Sequence, residues 1–277
     1  MKLSLAIIFI LSGFSSLAQF YYRDIIGTKE TTEMMKAYLN NKVSRVTVNS
    51  YDADNTRSDD FYVEQIFSPA TKTLKTITRS GVTDASVLIS YVNDDGRVIK
   101  TIDSSGAIVS TSVYNYDAEG RLLSISSSTV DSTKRLAETE EHIWEYQNGK
   151  IVRMLRIKNK VDTTIVNFKT DENGNIVEEL ATHKTNKSEP VYYYYDSKNR
   201  ITDIVRFNQK AKRLLPEYMF EYSPSNQVIQ RITVPANGSN YLIWRYQYDG
   251  NGLKIREAVY NRYKQLSGKI EYQYQKG

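Results

Sequence analysis

Aromatic and polar residues alternate along short segments that recur through most of the chain. Trp144 and Tyr146 flank Glu145, and the same alternation runs through 220–222 and 244–248. A period of two places one set of side chains on a buried face and the other on a wet face. These segments are therefore predicted to be β-strands.

A polar turn and aliphatic residues follow each alternating segment. In the clearest copy, 114–123, Asp117 and Gly120 have turn chemistry, because Asp bonds nearby backbone and Gly adopts left-handed conformations. Leu122 and Ile125 lie three positions apart, which predicts a β-bulge that returns both to the core. The alternative is that both faces of the strand are partly buried. The first aliphatic residue after each turn falls at 74, 98, 122, 151, 176, 201, 228 and 253. The pattern predicts tandem β-hairpins with a period of about 25 residues.

The hairpins predict an all-β fold in which they pair into one long, twisted antiparallel meander sheet. A final half-copy leaves an unpaired edge at 272–275, which another chain could complete. Met34, Met35, Tyr38 and Leu39 predict one short N-terminal helix over 28–41, followed by a strand over 43–51. We expect the helix to cover the first edge of the sheet.

The first residues have the features of a secretory signal peptide. Lys2 precedes an apolar run over 3–11, and Ser16 and Ala18 fit a small-residue cleavage site. The chain is therefore predicted to consist of a signal peptide (1–18), a helix and strand cap (19–60) and a hairpin-repeat domain (61–277). The mature protein is expected in the periplasm, on the outer surface or in the medium.

The Tyr-Asp-x-x-Gly-Arg-Leu core at 116–122 resembles the YD/RHS-type repeat of bacterial surface and toxin-associated proteins. The resemblance extends over about residues 62–277. It implies a spiralling β-sheet in which the Tyr, Asp, Gly and Leu positions are structural. The chain looks like a short exported member from a Bacteroidetes-like bacterium.

Composition excludes several classes of function and of chemical site. The 277 residues are 40% hydrophobic and 25% charged, as in a soluble globular protein, and 22 of them are Tyr. The absence of Cys excludes disulfides, thiolate metal sites and Cys nucleophiles. The 37 basic and 32 acidic side chains form no basic run, which argues against nucleic acid as a partner.

Titratable residues form no recognisable catalytic motif. His142 follows Glu138, Glu140 and Glu141, but a single His beside them fits a wet strand edge better than a metal site. His183 lies in a polar connection. We predict a non-enzymatic protein with no cofactor and no metal.

The wet face of the sheet carries the candidate binding residues. Tyr192 and Tyr194 should point outward, and Tyr241 and Arg245 should share that face. Exposed aromatic rings can stack on sugars while Arg supplies hydrogen bonds. The alternative is that these tyrosines serve only as good strand formers.

These features favour an exported, non-enzymatic repeat protein whose β-sheet surface binds a glycan or an envelope protein. The alternatives are a transmembrane β-barrel, a periplasmic lipid carrier and a degradative enzyme. Membrane insertion is disfavoured because five charged residues fall within the predicted strands: Arg153, Glu178, Glu179, Lys254 and Arg256.

Overall fold

A computed structural model describes residues 19–59, 61–81, 85–133, 135, 137–235 and 240–277. The predicted signal peptide lies outside the described residues. A π-helical turn (Tyr21–Ile26) leads directly into helix α1 (Gly27–Asn40). The strands that follow are β1 (Val43–Asp52), β2 (Phe61–Ser68), β3 (Thr73–Ser80), β4 (Ser86–Val92), β5 (Val98–Ser105), β6 (Ile108–Tyr116), β7 (Leu122–Asp131), β8 (Ala137–Gln147), β9 (Lys150–Lys158), β10 (Asp162–Thr170), β11 (Ile176–His183), β12 (Asn186–Lys187), β13 (Val191–Tyr195), β14 (Ile201–Asn208), β15 (Arg213–Tyr222), β16 (Val228–Thr233), β17 (Leu242–Tyr248), β18 (Lys254–Tyr260) and β19 (Leu266–Lys276).

The sheet closes into an antiparallel barrel. Strands pair with their neighbours in sequence, and β1 pairs with both β2 and β19. The two-residue β12 lies beside β11, which also pairs with β13, so 18 strands complete the ring.

The predicted open meander is therefore wrong, although the all-β class and the pairing of successive hairpins are correct. Tyr272 pairs with Val48 and Tyr274 with Val46, so the edge expected at 272–275 has a partner within the chain. The repeat pattern specified which strands are neighbours. It did not reveal that β1, which precedes the first repeat, pairs with β19, which belongs to the last one.

The turn of the clearest repeat is built as its sequence predicts. Gly120 N–H donates to the Asp117 carbonyl, and the Asp117 carboxylate accepts from the backbone N–H of Arg121 at 2.8 Å and its guanidinium at 2.6 Å. Gly120 has a φ of 80°, and Asn199 and Asn226 take the same left-handed conformation. Asp thus closes the turn, and the basic residue after it holds the Asp in place.

The predicted bulge is confirmed at the start of the second strand. Asn115 pairs with Ser124, but Tyr116 pairs with Leu122, so Leu123 is the extra residue. Leu122 and Ile125 are both buried while Leu123 is 38% exposed. Equivalent register shifts follow Tyr91, Glu145, Lys169, Tyr194, Glu221 and Gln247.

Six tyrosine hydroxyls form a ladder, and each of them ties its repeat to the one before it. Tyr146 O–H donates to the Leu122 carbonyl at 2.9 Å, and Tyr195 O–H donates to the Ile176 carbonyl at 2.7 Å. The same bond is made by Tyr116, Tyr222, Tyr248 and Tyr274 to the carbonyls of Val98, Ile201, Val228 and Lys254. Burial raises the pKa of Tyr116, Tyr146 and Tyr222 to about 12, so these hydroxyls remain donors at neutral pH.

The helical segment lies inside the barrel. The Tyr21 ring meets Tyr193 edge-on at 5.5 Å, and Tyr38 packs against Phe67 and Tyr274. Met35 is fully buried among residues of β1, β2 and β5. Because β1 has partners on both sides, there is no first edge for the helix to cover, and its apolar side chains fill the lumen instead.

Loss of one ladder bond should destabilise the barrel. Tyr195→Phe removes the hydroxyl that satisfies the Ile176 carbonyl, so we expect the free energy of unfolding to fall by about 1 kcal/mol. Tyr194→Phe is the matched control, since this neighbouring ring is 50% exposed on the outer face. Urea unfolding measures both variants, and an equal effect of the two substitutions would contradict a ladder role.

Candidate functional site

A polar chamber of about 300 Å³ lies between the helical segment and strands β4 to β8. Its wall is unlike the rest of the barrel interior, because small hydroxyl side chains replace the aromatic rings found elsewhere. The wall and helical residues that carry polar atoms into it include Ser90, Thr101, Asp103, Ser110, Ser112 and Ser127, together with Arg23, Asp24, Thr28 and Thr31.

The side chains of β6 and β7 explain why space remains here. Ser112 and Ser127 face each other across the two strands with their hydroxyls 2.8 Å apart, and Ser110 and Thr129 are 2.9 Å apart. In each pair one hydroxyl donates to the other across the two strands, so the second O–H can still donate to another group. A Ser or Thr at these positions reaches much less far into the lumen than the Trp and Tyr side chains of neighbouring strands.

A buried charged cluster closes one side of the chamber. His142 donates or accepts through both ring nitrogens: Nδ1 faces the Asp24 carboxylate, and Nε2 lies 2.9 Å from Glu140. Arg156 in turn donates to the second Glu140 oxygen at 2.7 Å. Phe20 covers the His142 ring edge-on at 5.5 Å. The cluster therefore fastens the helical segment to β8 and β9.

The cluster favours an imidazolium between two carboxylates. Burial alone would lower the pKa of His142, but the charge of Asp24 and the hydrogen bonds that the ring donates to Asp24 and Glu140 outweigh it and raise that pKa above its usual 6.5. Burial would raise the pKa of Glu140, yet the hydrogen bonds from His142 and Arg156 lower it to about 2. Since both ring nitrogens are occupied, His142 is placed to hold the helix rather than to act as a general base.

The expectation of a wet edge for His142 is wrong, because its side chain is buried inside the barrel. A signal was present in the sequence: His142 lies two residues before Trp144, and strand alternation puts both on one face. Among the described residues, no group of three His, Asp or Glu is arranged to hold a metal ion.

Two of the four predicted binding residues meet on the outer wall. Tyr241 and Arg245 line a shallow groove of about 380 Å³ with Met219, Gln230, Ile232, Ile243 and Lys264. Arg245 lies over the Tyr260 ring at 5.1 Å and donates to Gln230 at 3.1 Å. Tyr241 O–H donates to the Arg262 carbonyl at 3.2 Å. The Tyr260 ring and Gln230 thus hold the Arg245 guanidinium against the outer face of the sheet.

The other two predicted residues lie on β13, four strands away, at roughly 19 Å. Tyr194 points outward and is 50% exposed, while Tyr192 is half-buried on the same strand. Register connects the two regions, because Tyr194, Asp203, Met219, Ile232 and Ile243 pair successively across the sheet. The four residues therefore border one band of the outer wall, and ligand binding by that band stays a prediction.

Charged side chains stand on the same outer wall. Arg153 forms a bidentate pair with Glu145, and Lys169 pairs with Glu178 at 2.8 Å. Within the described part of the chain, no helix is long and apolar enough to cross a membrane.

Comparisons with known proteins give only distant similarities. No protein-family model matches the sequence, and no curated protein matches it. A porin-like protein from Bacteroides uniformis is similar in structure, with a TM-score of 0.39 and 10% identity over 85% of this chain and 97% of that one. A porin-like protein from Bacteroides vulgatus has a TM-score of 0.28 and 11% identity, over 84% of this chain and 98% of that chain.

The Photorhabdus luminescens Tc holotoxin pore is also similar, at a TM-score of 0.34 and 12% identity, over 78% of this chain and 12% of that chain. Since no protein-family model matches, the resemblance to YD/RHS-type repeats stays a prediction. Similarities at this level carry no conclusion about activity.

The charged cluster should make stability depend on pH. A raised pKa means that the stabilisation by His142 is complete below pH 6.5 and is lost as pH rises through the folded-state value. We expect the unfolding midpoint to fall with rising pH in the wild-type protein and to fall much less in His142→Asn. His183→Asn is the control, because this ring is partly exposed beside Asp162. A His183 variant that removed the pH dependence, or a His142 variant that retained it, would contradict the assignment.

Proposed function

We propose that this chain is an exported binding protein whose barrel holds a small, hydroxyl-rich ligand, such as a sugar or polyol, in the polar chamber. The observation that carries the proposal is the chamber itself. Elsewhere the lumen is filled by aromatic side chains and the helix, whereas here about 300 Å³ stays open between short polar side chains and the apolar side chains of Leu88, Val98 and Ile125.

The lining favours a neutral polyhydroxyl compound. Its hydroxyls can both donate and accept, which matches the two-way hydrogen bonding of sugar hydroxyls. The charged groups of His142, Asp24 and Glu140 satisfy one another. Asp103 adds a carboxyl group that could accept a hydrogen bond from a ligand hydroxyl. Tyr114 adds a ring face on which a sugar could stack.

Solvent reaches the chamber beside the helical segment. The Arg23 side chain is 46% exposed although its carboxylate partner Asp24 is buried. Asp103 and Ser110 pair with each other close to the turn between β5 and β6, so the chamber lies near that end of the barrel. A ligand could enter at this rim without opening the wall.

We also propose that the barrel operates in water and not as a membrane pore. A lipid-facing wall needs an apolar band, and charge at the bilayer midplane is costly. Here Arg153 and Glu145 occupy the outer face while the aromatic rings of Trp144 and Tyr146 point inward. At these positions charged side chains face outward and aromatic rings face inward, whereas a water-filled membrane pore has an apolar outer face and a polar interior.

The outer-wall band is a second candidate, for a glycan chain. Its specific support is the groove in which Tyr241 and Arg245 lie together, continued by paired residues to Tyr194. Tyr192 stands beside this band. A chain of several sugars, rather than one, would match its length of roughly 19 Å.

Filling the chamber should abolish binding. Ser112→Leu places a larger apolar side chain in the chamber, whereas Thr111→Leu makes the same change on the outward face of the same strand. We expect glucose, galactose, N-acetylglucosamine or inositol to bind in ligand-observed NMR. Affinity should fall by about tenfold or more in the inner variant, a loss of about 1.4 kcal/mol or more, and remain unchanged in the outer one.

The outcomes separate the two candidate surfaces. Failure of every sugar and polyol to bind would reject the chamber proposal, as would binding that Ser112→Leu leaves intact. Binding of an oligosaccharide that is lost in Tyr194→Ala with Arg245→Ala, and retained in Ser112→Leu, would instead identify the outer wall.

Water solubility gives a separate test. We expect the exported protein to remain dispersed without detergent. When it is mixed with phosphatidylethanolamine–phosphatidylglycerol vesicles and the vesicles are floated on a density gradient, the protein should stay in the bottom fraction, because outward charges oppose insertion. Recovery with the vesicles after an alkaline wash, together with a heat-dependent shift in gel mobility, would favour a membrane barrel.

A further inference from the structure

Glu179 is a buried carboxylate on β11 that accepts hydrogen bonds from the start of the helical segment. Its side chain is 0% exposed. The backbone N–H of Gln19 donates to Oε1 at 2.8 Å, and those of Phe20 and Tyr21 donate to the carboxylate at 3.0 Å each. Tyr193 O–H donates to Oε2 at 2.8 Å. This one carboxylate thus accepts hydrogen bonds from the first three described backbone N–H groups of the chain.

Gln19 is anchored a second time through its side chain. Its Nε2 donates to Glu217 at 2.6 Å, and Glu217 also pairs with Arg206 at 2.9 Å. Gln19 itself is buried. Two acidic side chains on different strands therefore hold this residue inside the barrel.

The backbone of Gln19 has a strained torsion that depends on the preceding residue. Its φ is 126°, a value that residues with a side chain rarely adopt. The φ angle is defined by the bond to residue 18. Cleavage of that peptide bond removes the torsion and leaves a free amino group in the same place.

We infer that hydrolysis of the Ala18–Gln19 bond creates an α-ammonium group that forms a buried ion pair with Glu179 and locks the helical segment into the barrel. Water adds across the peptide bond, so that Ala18 leaves as a carboxylate and Gln19 gains the amine, which is protonated at neutral pH. A charged donor strengthens a hydrogen bond that the backbone N–H already makes. The mature terminus is then a structural part of the barrel.

The test displaces the new terminus without changing the cleavage site. The full chain is exported with its own leader, either unaltered or with Gly-Ser inserted between Ala18 and Gln19, and each form is combined with Glu179 or Glu179→Gln. Intact mass establishes where each mature chain begins. We expect the insertion to lower the melting temperature by several degrees with Glu179 and to have little effect with Glu179→Gln.

Amine reactivity gives an independent readout if Glu179→Gln fails to fold. The terminal amine of the unaltered mature protein should resist acetylation while folded and react readily in urea, whereas the inserted form should react in both states. A mature chain that does not begin at Gln19 would overturn the inference. So would an insertion that is harmless with Glu179, equally harmful with Glu179→Gln, or no more reactive than the native terminus.

Discussion

The width of the barrel is the constraint on which the rest of the structure depends. A ring of 18 strands encloses a lumen that side chains from the wall do not normally fill, and barrels of this size often contain a channel. Here the lumen is filled from two sources: long aromatic side chains that project from the repeats, and a helix that runs through the interior. This requirement explains why Tyr recurs at the inward-facing ladder positions. Its ring reaches far into the lumen, and its hydroxyl finds a backbone carbonyl of the preceding repeat.

The chamber is the part of the lumen that neither the aromatic side chains nor the helix fills. Strands β4 to β7 contribute Ser and Thr side chains to its lining, and β8 contributes Glu140 and His142. The helical segment spans the gap without closing it. The ion-pair cluster of Asp24, His142 and Glu140 keeps the segment at a fixed distance from the wall. The space is therefore maintained by electrostatics as well as by the small size of the lining residues.

Local features of the fold were predictable from sequence because they depend on nearby residues. Asp117 and Gly120 specify a turn, the spacing of Leu122 and Ile125 specifies a bulge, and alternation orients the aromatic rings inward. Closure was not predictable in this way, because curvature accumulates over many strands and no single repeat encodes it. Orientation of the outer residues followed from alternation. The chamber did not, since it arises where several distant strands and the helix come together.

Closure also bears on how the protein folds. The last strand to be made pairs with the first, joining Val43 to Lys276, and contacts of such long sequence separation are slow to form. Until that pairing occurs, both borders of the growing sheet remain open and can join those of another molecule. Assembly of the ring is therefore a late and cooperative event. A chain interrupted anywhere along the repeats would keep two unpaired strand edges, and each of them could pair with a strand of another molecule.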